Sequence, residues 1–191
     1  KQMTTDKRVL KTRKAITTAF MELTLEKDMQ KITVSDIAER AVINRSTFYL
    51  HYADAKEVLD DIENNISEIV HNCFSKFDTS DIYNSTYNMF IAMTGILDET
   101  PAFKNFMLHS SSSGYITINL KKTLTDMALH TVLKKASTYD AEKMRIAISY
   151  MVSGIVDTYI LWAKDDKPKC SLEEFCRYIT VLTESVIGAI H

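Results

Sequence analysis

Glycine and proline are scarce in this 191-residue chain, at 4 and 2 respectively, while Met, Ala, Leu, Lys and Glu recur. That balance favours an all-helical protein, because helix breakers are few and helix formers many. Cysteine is also sparse. Cys73, Cys170 and Cys176 are an odd number without a CxxC pair, which argues for reduced thiols rather than a disulfide framework. No segment approaches the roughly 18 consecutive apolar residues of a membrane span, and no basic-then-apolar leader is seen. The expectation is a soluble, cytoplasmic protein with no membrane partner. Neither sign of charge dominates: 23 Lys/Arg against 25 Asp/Glu leave a net −2. Bulk affinity for nucleic acid is therefore not expected.

What is present is more specific. Hydrophobic residues make up 46% and charged residues 25%, which opposes disorder and supplies a core. The length suits one compact unit or a small domain joined to a larger one. The charge is also uneven. Residues 1–60 hold 11 Lys/Arg against 9 Asp/Glu, whereas residues 61–191 hold 12 against 16. Lys1, Lys7, Arg8, Lys11, Arg13 and Lys14 crowd the start, opposed there only by Asp6. A basic N-terminal arm on an acidic body suits contact with phosphate at one end.

Apolar residues at Ala15, Ile16, Ala19, Phe20 and Leu23 predict a first helix from Arg8 to about Leu25. Thr33 is placed as an N-cap, with Asp36 at the capping-box position and Ile32 and Ile37 as a hydrophobic staple. That second helix should end near Ala41. Asn44 is the next expected N-cap, stapled by Ile43 and Phe48, for a third helix running to about Tyr52. Asp54 with Glu57 caps a fourth helix, expected from Ala55 to about Phe77. Further helices are predicted at 82–97, 101–108, 115–137, 141–164 and 172–190. Thr100-Pro101 and the Ser171/Glu174 box mark two of their starts.

The second and third helices are separated only by Val42 and Ile43, the spacing of a helix-turn-helix. There the third helix lies in the major groove. Phe48 and Tyr52 face inward, which leaves Arg45, Ser46, Thr47, Tyr49 and His51 free to project toward DNA. Arg45 suits a guanine edge or a phosphate, and Ser46 and Thr47 suit phosphate or a thymine methyl. Tyr49, His51 and Lys56 suit backbone phosphates, and Thr33 is a cap that also stands near one.

In this region the chain resembles the TetR-type (tetracycline-repressor family) transcriptional regulators. The resemblance rests on Arg13-x-x-Ile16-x-x-Ala19-Phe20-x-x-Leu23, then "ITVSDIAERA", then "NRSTFYLHYADAKEVL", and covers about residues 8–60. It implies a homodimer on double-stranded, palindromic operator DNA and a C-terminal domain that senses a small-molecule effector or a protein partner. A repressor is the expected sense, with an activator or a protein-interaction module as alternatives. Two positions depart from the family pattern, Asp28 and Val42 standing where glycine is usual. The turn is expected to adjust so that Val42 avoids positive φ.

The expected organisation is all-α: a helix-turn-helix domain over residues 1–53 and a helical bundle over residues 54–191 for dimerisation and effector sensing. "MRIAISYMVSGIVDTYILWA" (residues 144–163) is apolar around nearly its whole girth and needs cover on more than one side. Met151, Ile155 and Tyr159 on this helix, with Phe175, Ile179, Leu182, Val186 and Ile190 on the next, are the expected four-helix dimer seam. Phe90, Met93, Phe106, Met107, Tyr150 and Trp162 are candidates for lining an effector cavity.

No cofactor or metal site is expected. His71 and Cys73 are two apart and point to different helix faces, and Cys170 and Cys176 lack a nearby histidine. The chain has no glycine-rich phosphate loop, HExxH or nucleophile elbow. In "HSSSSG", His109 adjoins serines without an orienting acid, so an enzyme is not expected.

Overall fold

A computed structural model describes residues 2–78, 80–135 and 140–188 of the chain. Among the described residues nine α-helices follow one another and no strand occurs. They are α1 (Gln2–Glu26), α2 (Val34–Arg40), α3 (Arg45–Tyr49), α4 (Ala55–Phe74), α5 (Ile82–Glu99), α6 (Pro101–His109), α7 (Ser113–Lys135), α8 (Ala141–Lys164) and α9 (Leu172–Gly188). The all-α expectation stands. α1 starts at Gln2 rather than Arg8, so Lys7, Arg8, Lys11, Arg13 and Lys14 of the basic arm are part of the helix, and Lys1 lies outside the described residues. α3 ends at Tyr49, short of Tyr52, and α4 ends at Phe74, short of Phe77.

The caps explain most helix starts. Thr33 and Asp36 form a reciprocal capping box on α2, and Ser171 and Glu174 form another on α9. At α4 the Asp54 carboxylate accepts from Glu57 N–H at 2.9 Å, but Glu57 reaches back to Ala53 N–H instead of Asp54. Asn44 and Thr100 occupy N-cap positions without a side-chain cap bond. Their helices rely on other devices: a buried Phe48 in α3, and proline in the first turn of α6. Asp140, not singled out from sequence, caps α8 by accepting from Glu142 and Lys143 N–H.

The chain forms two compact units. The first comprises Lys1–Ile66 with Leu97–Ile116. Its core is built from Ile16, Ala19, Phe20 and Leu23 of α1, Ile37 and Ala38 of α2, Phe48 of α3, and Val58, Leu59 and Ile62 of α4. α1 also packs on α6, where Phe106 and Leu108 are buried, and Ser110 Oγ donates to Thr24 O at 3.2 Å. The division expected after residue 53 falls inside this unit. The first turns of α4 carry buried side chains that complete the core around the helix-turn-helix.

The second unit comprises Ser67–Ile96 with Thr117–His191. α8 packs on α9, and Leu129, Met144 and Ile148 form a core cluster joined by Met151 and Val152. Lys121 on α7 pairs with Asp157 on α8 at 2.5 Å. α8 is long and apolar enough, by length and composition alone, to cross a membrane. Ser149, Ser153 and Asp157 interrupt it, so it contains no uninterrupted apolar run of that length.

Candidate nucleic-acid interface

Ion pairs at the surface add to the apolar contact of Ile37 and Ala38 in linking α2 to α1. Arg40 donates to both oxygens of Glu26, at 2.7 and 2.8 Å, and pairs with Glu22 at 3.4 Å. Lys27 reaches Asp36 Oδ2 at 2.7 Å. That hydrogen bond, reinforced by the Thr33 N–H and hydroxyl, holds the Asp36 carboxyl down at about 2. The Thr33 hydroxyl donates to Asp36 at 2.7 Å and accepts from its N–H. A phosphate contact by that hydroxyl would have to displace the cap.

The turn after α2 is a Schellman motif. Ile43 N–H donates to Ala38 O at 2.9 Å and Val42 N–H to Glu39 O at 3.1 Å. The motif requires a left-handed residue, and Val42 takes that position at φ 57°. The expected adjustment of the turn does not occur. The hydrogen bonds at the end of α2 need this geometry whichever residue occupies it, and Val42 is 90% exposed, so its side chain meets no wall. Asp28, the other departure, has φ −55° and carries no such strain.

Phe48 and Tyr52 anchor α3. Both are buried, with ring centroids 5.9 Å apart. The Tyr52 hydroxyl donates to Asp61 Oδ2 at 2.5 Å, and Arg13 donates to Asp61 Oδ1 at 2.7 Å. The Arg13 guanidinium lies 5.0 Å over the Tyr52 ring, a cation–π contact. Burial and the Asp61 carboxylate push the Tyr52 phenol well above its ordinary range. This cluster joins α1, the segment following α3, and α4. Sequence reading missed it. The available signal was Asp61, an acid set between Val58 and Ile62 on an otherwise apolar face.

With that face turned inward, Arg45, Ser46, Tyr49 and Leu50 are exposed and Thr47 and His51 are half-buried. Lys56, also exposed, pairs with Asp60 at 3.1 Å one turn along α4, which raises its pKa. Such an exposed pair stabilises little and leaves the ammonium available to an anion. The predicted DNA-contacting residues other than Thr33 and Lys56 therefore lie on one short helix and the turn that follows it. Leu50, 81% exposed, was not among the candidates.

The residues expected at a dimer seam are distributed differently. Tyr159, Phe175 and Ile179 are buried inside the second unit and offer no surface to another chain. Tyr159 stacks on Phe90 at 4.9 Å and its hydroxyl shares a 2.8 Å hydrogen bond with Thr94. Phe175 meets Phe90 edge-on at 5.3 Å. Aromatic packing with a satisfied hydroxyl outweighs exposure here. Met151, Ile155 and Val186 are half-buried, Leu182 is 62% exposed, and Ile190 lies outside the described residues. The outward apolar residues are Ile146, Tyr150 and Leu161 of α8 and Tyr178, Val181 and Leu182 of α9.

The effector-pocket candidates also separate. Phe106 and Met107 are buried in the first unit on α6, and Tyr150 is 70% exposed. Phe90, Met93 and Trp162 belong to the second unit, where Phe90 and Trp162 join the aromatic core and Trp162 Nε1–H donates to Cys170 O at 3.0 Å. Among the described residues no group of three or more His, Cys, Asp or Glu is placed to hold a metal. The Cys176 thiol is pushed up to about 11 by burial.

Comparison with known proteins bears on these features. The family model described as bacterial regulatory proteins, tetR family, matches residues 16–62. YxbF, an uncharacterized HTH-type transcriptional regulator of Bacillus subtilis (strain 168), is 27% identical over 192 residues, covering 98% of this chain and 49% of its own. The chain thus spans about half the length of that relative. DhaS of Lactococcus lactis subsp. lactis (strain IL1403), an HTH-type activator of the dhaKLM operon, is 30% identical over 142 residues, 72% of each protein. A TetR transcriptional regulator from Streptococcus agalactiae 2603V shares the fold with a TM-score of 0.64 at 21% identity, covering 96% of this chain and 99% of that one.

Proposed function

The chain belongs to the bacterial regulatory proteins of the tetR family, and from that premise we propose that it binds a palindromic operator as a homodimer, with α3 in the major groove. It is a transcriptional regulator from a family of DNA-binding proteins, not of enzymes. The observation that carries the proposal is the two-sided character of α3. Phe48 has no exposure, while Arg45, Ser46, Tyr49 and Leu50 are exposed, Tyr49 with its ring set edge-on to Phe48 at 5.7 Å. Two such helices about 34 Å apart would meet successive major grooves on one face of a duplex.

The homodimer is proposed to form through the outward apolar residues of α8 and α9, which a two-fold mate would bury against their own copies. An effector, either a small molecule or a protein partner, is proposed to act on the second unit and reach the DNA-binding helices through α4. That helix carries residues of both units. The effector must bind the DNA-competent and DNA-incompetent states unequally for any response to follow. Repression is the proposed sense. The DhaS relative, named an activator, supports activation as the second reading. A reporter with the operator placed upstream of, or across, a promoter separates the two.

Selection of bound sequences from a random duplex pool tests the central claim. The expected product is a palindrome with half-sites about one helical turn apart. Binding that disappears steeply with salt and prefers no sequence would defeat it.

A further inference from the structure

Leu50, the C-cap residue that follows α3, is 81% exposed, yet the outward residues of that helix carry a guanidinium or hydroxyls. Its backbone stays helical, at φ −74° and ψ −15°, so it keeps the phase of α3. At about 100° per residue, Leu50 stands about 160° around the axis from Phe48. It therefore points nearly opposite to the buried Phe48. Ser46, four residues earlier, lies about 40° from it, and Thr47 about 60°. The outermost surface of α3 is thus an isobutyl group flanked by two hydroxyls, with Arg45 and Tyr49 to one side.

We infer that Leu50 is a specificity-determining residue that reads a thymine 5-methyl group in the major groove. This rests on the DNA-binding reading proposed above. The chemistry selects the partner. Among the base pairs, only those containing thymine present a methyl in the major groove, and apolar side chains are what recognise it. A single exposed leucine among hydroxyls and a guanidinium is far too small for a protein interface, which needs about 800 Å² per partner, but it matches one methyl. The neighbouring Ser46 and Thr47 hydroxyls are placed to hold adjacent base edges. Because Leu50 is almost fully solvated, its side chain contributes little to the fold, so truncation leaves the domain intact.

The test uses the full chain and the operator recovered by selection. Each thymine of both half-sites is replaced in turn by deoxyuridine, which removes only the methyl. One symmetric thymine pair should show a loss of roughly fourfold per half-site, the value of one buried methyl-sized group. Leu50→Ala should bind the thymine operator more weakly, with unchanged helicity and thermal midpoint, and should lose nothing further on the uracil substitution. A wild-type protein indifferent to every such substitution, or a Leu50→Ala protein as sensitive as wild type, overturns the inference while leaving operator binding intact. If no sequence is selected at all, the DNA-binding reading falls and this inference with it.

Discussion

The Tyr52 hydroxyl and the Asp61 carboxylate meet at 2.5 Å, joining the segment that follows α3 to the second turn of α4. Arg13 occupies the other oxygen of Asp61 at 2.7 Å and lies over the Tyr52 ring. The attitude of α3 relative to α1 and α4 is thereby set by a charged hydrogen bond as well as by apolar contact. Tyr52→Phe keeps the ring and its cation–π contact and removes only the hydroxyl. It should destabilise the protein by roughly 1–2 kcal/mol, which lowers the thermal midpoint by about 2–8 °C for a chain of this size. An unchanged midpoint would mean that the bond contributes nothing. Because the folded state holds the phenolic proton above the ordinary tyrosine range, wild-type stability should also fall as pH rises beyond about 10. Tyr52→Phe should lack that component.

Val42 offers the opposite sign. Its φ of 57° places a β-branched residue in the left-handed region, at a cost of roughly 1–2 kcal/mol. Glycine removes that strain but adds about 0.5–1 kcal/mol of unfolded-state entropy. The side chain is 90% exposed, so no packing is lost. Val42→Gly should therefore be neutral to stabilising, by up to about 1.5 kcal/mol, in chemical denaturation. A variant less stable than wild type would show that the valine is supported by something other than the turn.

How much of this could be read in advance depended on how local the cause was. The capping boxes at Thr33 and Ser171 are statements about residues three apart, and both formed as their sequences indicated. The inward pair Phe48 and Tyr52 followed from helical spacing. Tyr159, Phe175 and Ile179 satisfied an apolar seam equally well facing inward or outward, and only the position of Phe90, far along the chain, settles the direction. Leu50 could not be assigned from spacing, because an apolar residue close to buried Phe48 is compatible with core until its exposure is known. Arg13 was visible as part of a motif, but its bond to Asp61 joins residues 48 positions apart.

Asp36 provides a pH test. The Lys27 hydrogen bond, with the Thr33 donors, holds its carboxyl at about 2 against an ordinary 3.8. A depressed acid stabilises the fold above its unfolded pKa and loses that contribution as pH falls toward the folded value. Carboxyl chemical shifts should place the Asp36 midpoint near 2 in the folded protein, and Lys27→Ala should move it upward. A midpoint of 3.8 in the wild type would remove the cap network from solution.

The outward residues of α8 and α9 predict the oligomeric state. Tyr178, Val181 and Leu182 lie within a single helical turn and a quarter of α9 and are all more than half exposed. Placing a carboxylate there opposes burial against a second copy, because the charge must lose its water without gaining a partner. Leu182→Glu should shift sedimentation from dimer to monomer at micromolar concentration while helicity is retained. A wild type that is already monomeric contradicts the proposed assembly.

DNA contacts should divide by chemistry. Arg45 is the cation at the start of α3, and a bidentate contact to guanine contributes about 1–3 kcal/mol of discrimination. Arg45→Ala should therefore relax preference at one symmetric pair of operator positions. Tyr49 and Lys56 are assigned to phosphates. Their alanine variants should weaken binding to all sequences alike, with Lys56→Ala reducing the salt slope by about one unit per half-site. Lys56 also carries a neighbour that distinguishes this assignment from a bystander role. Asp60 lies 3.1 Å from its ammonium and competes with phosphate for it, so Asp60→Ala should strengthen binding when Lys56 is present. In the Lys56→Ala background the same change can act only by removing a negative charge near the duplex, so its effect should shrink. An equal gain in both backgrounds would mean that Asp60 repels DNA on its own account and that Lys56 grips no phosphate.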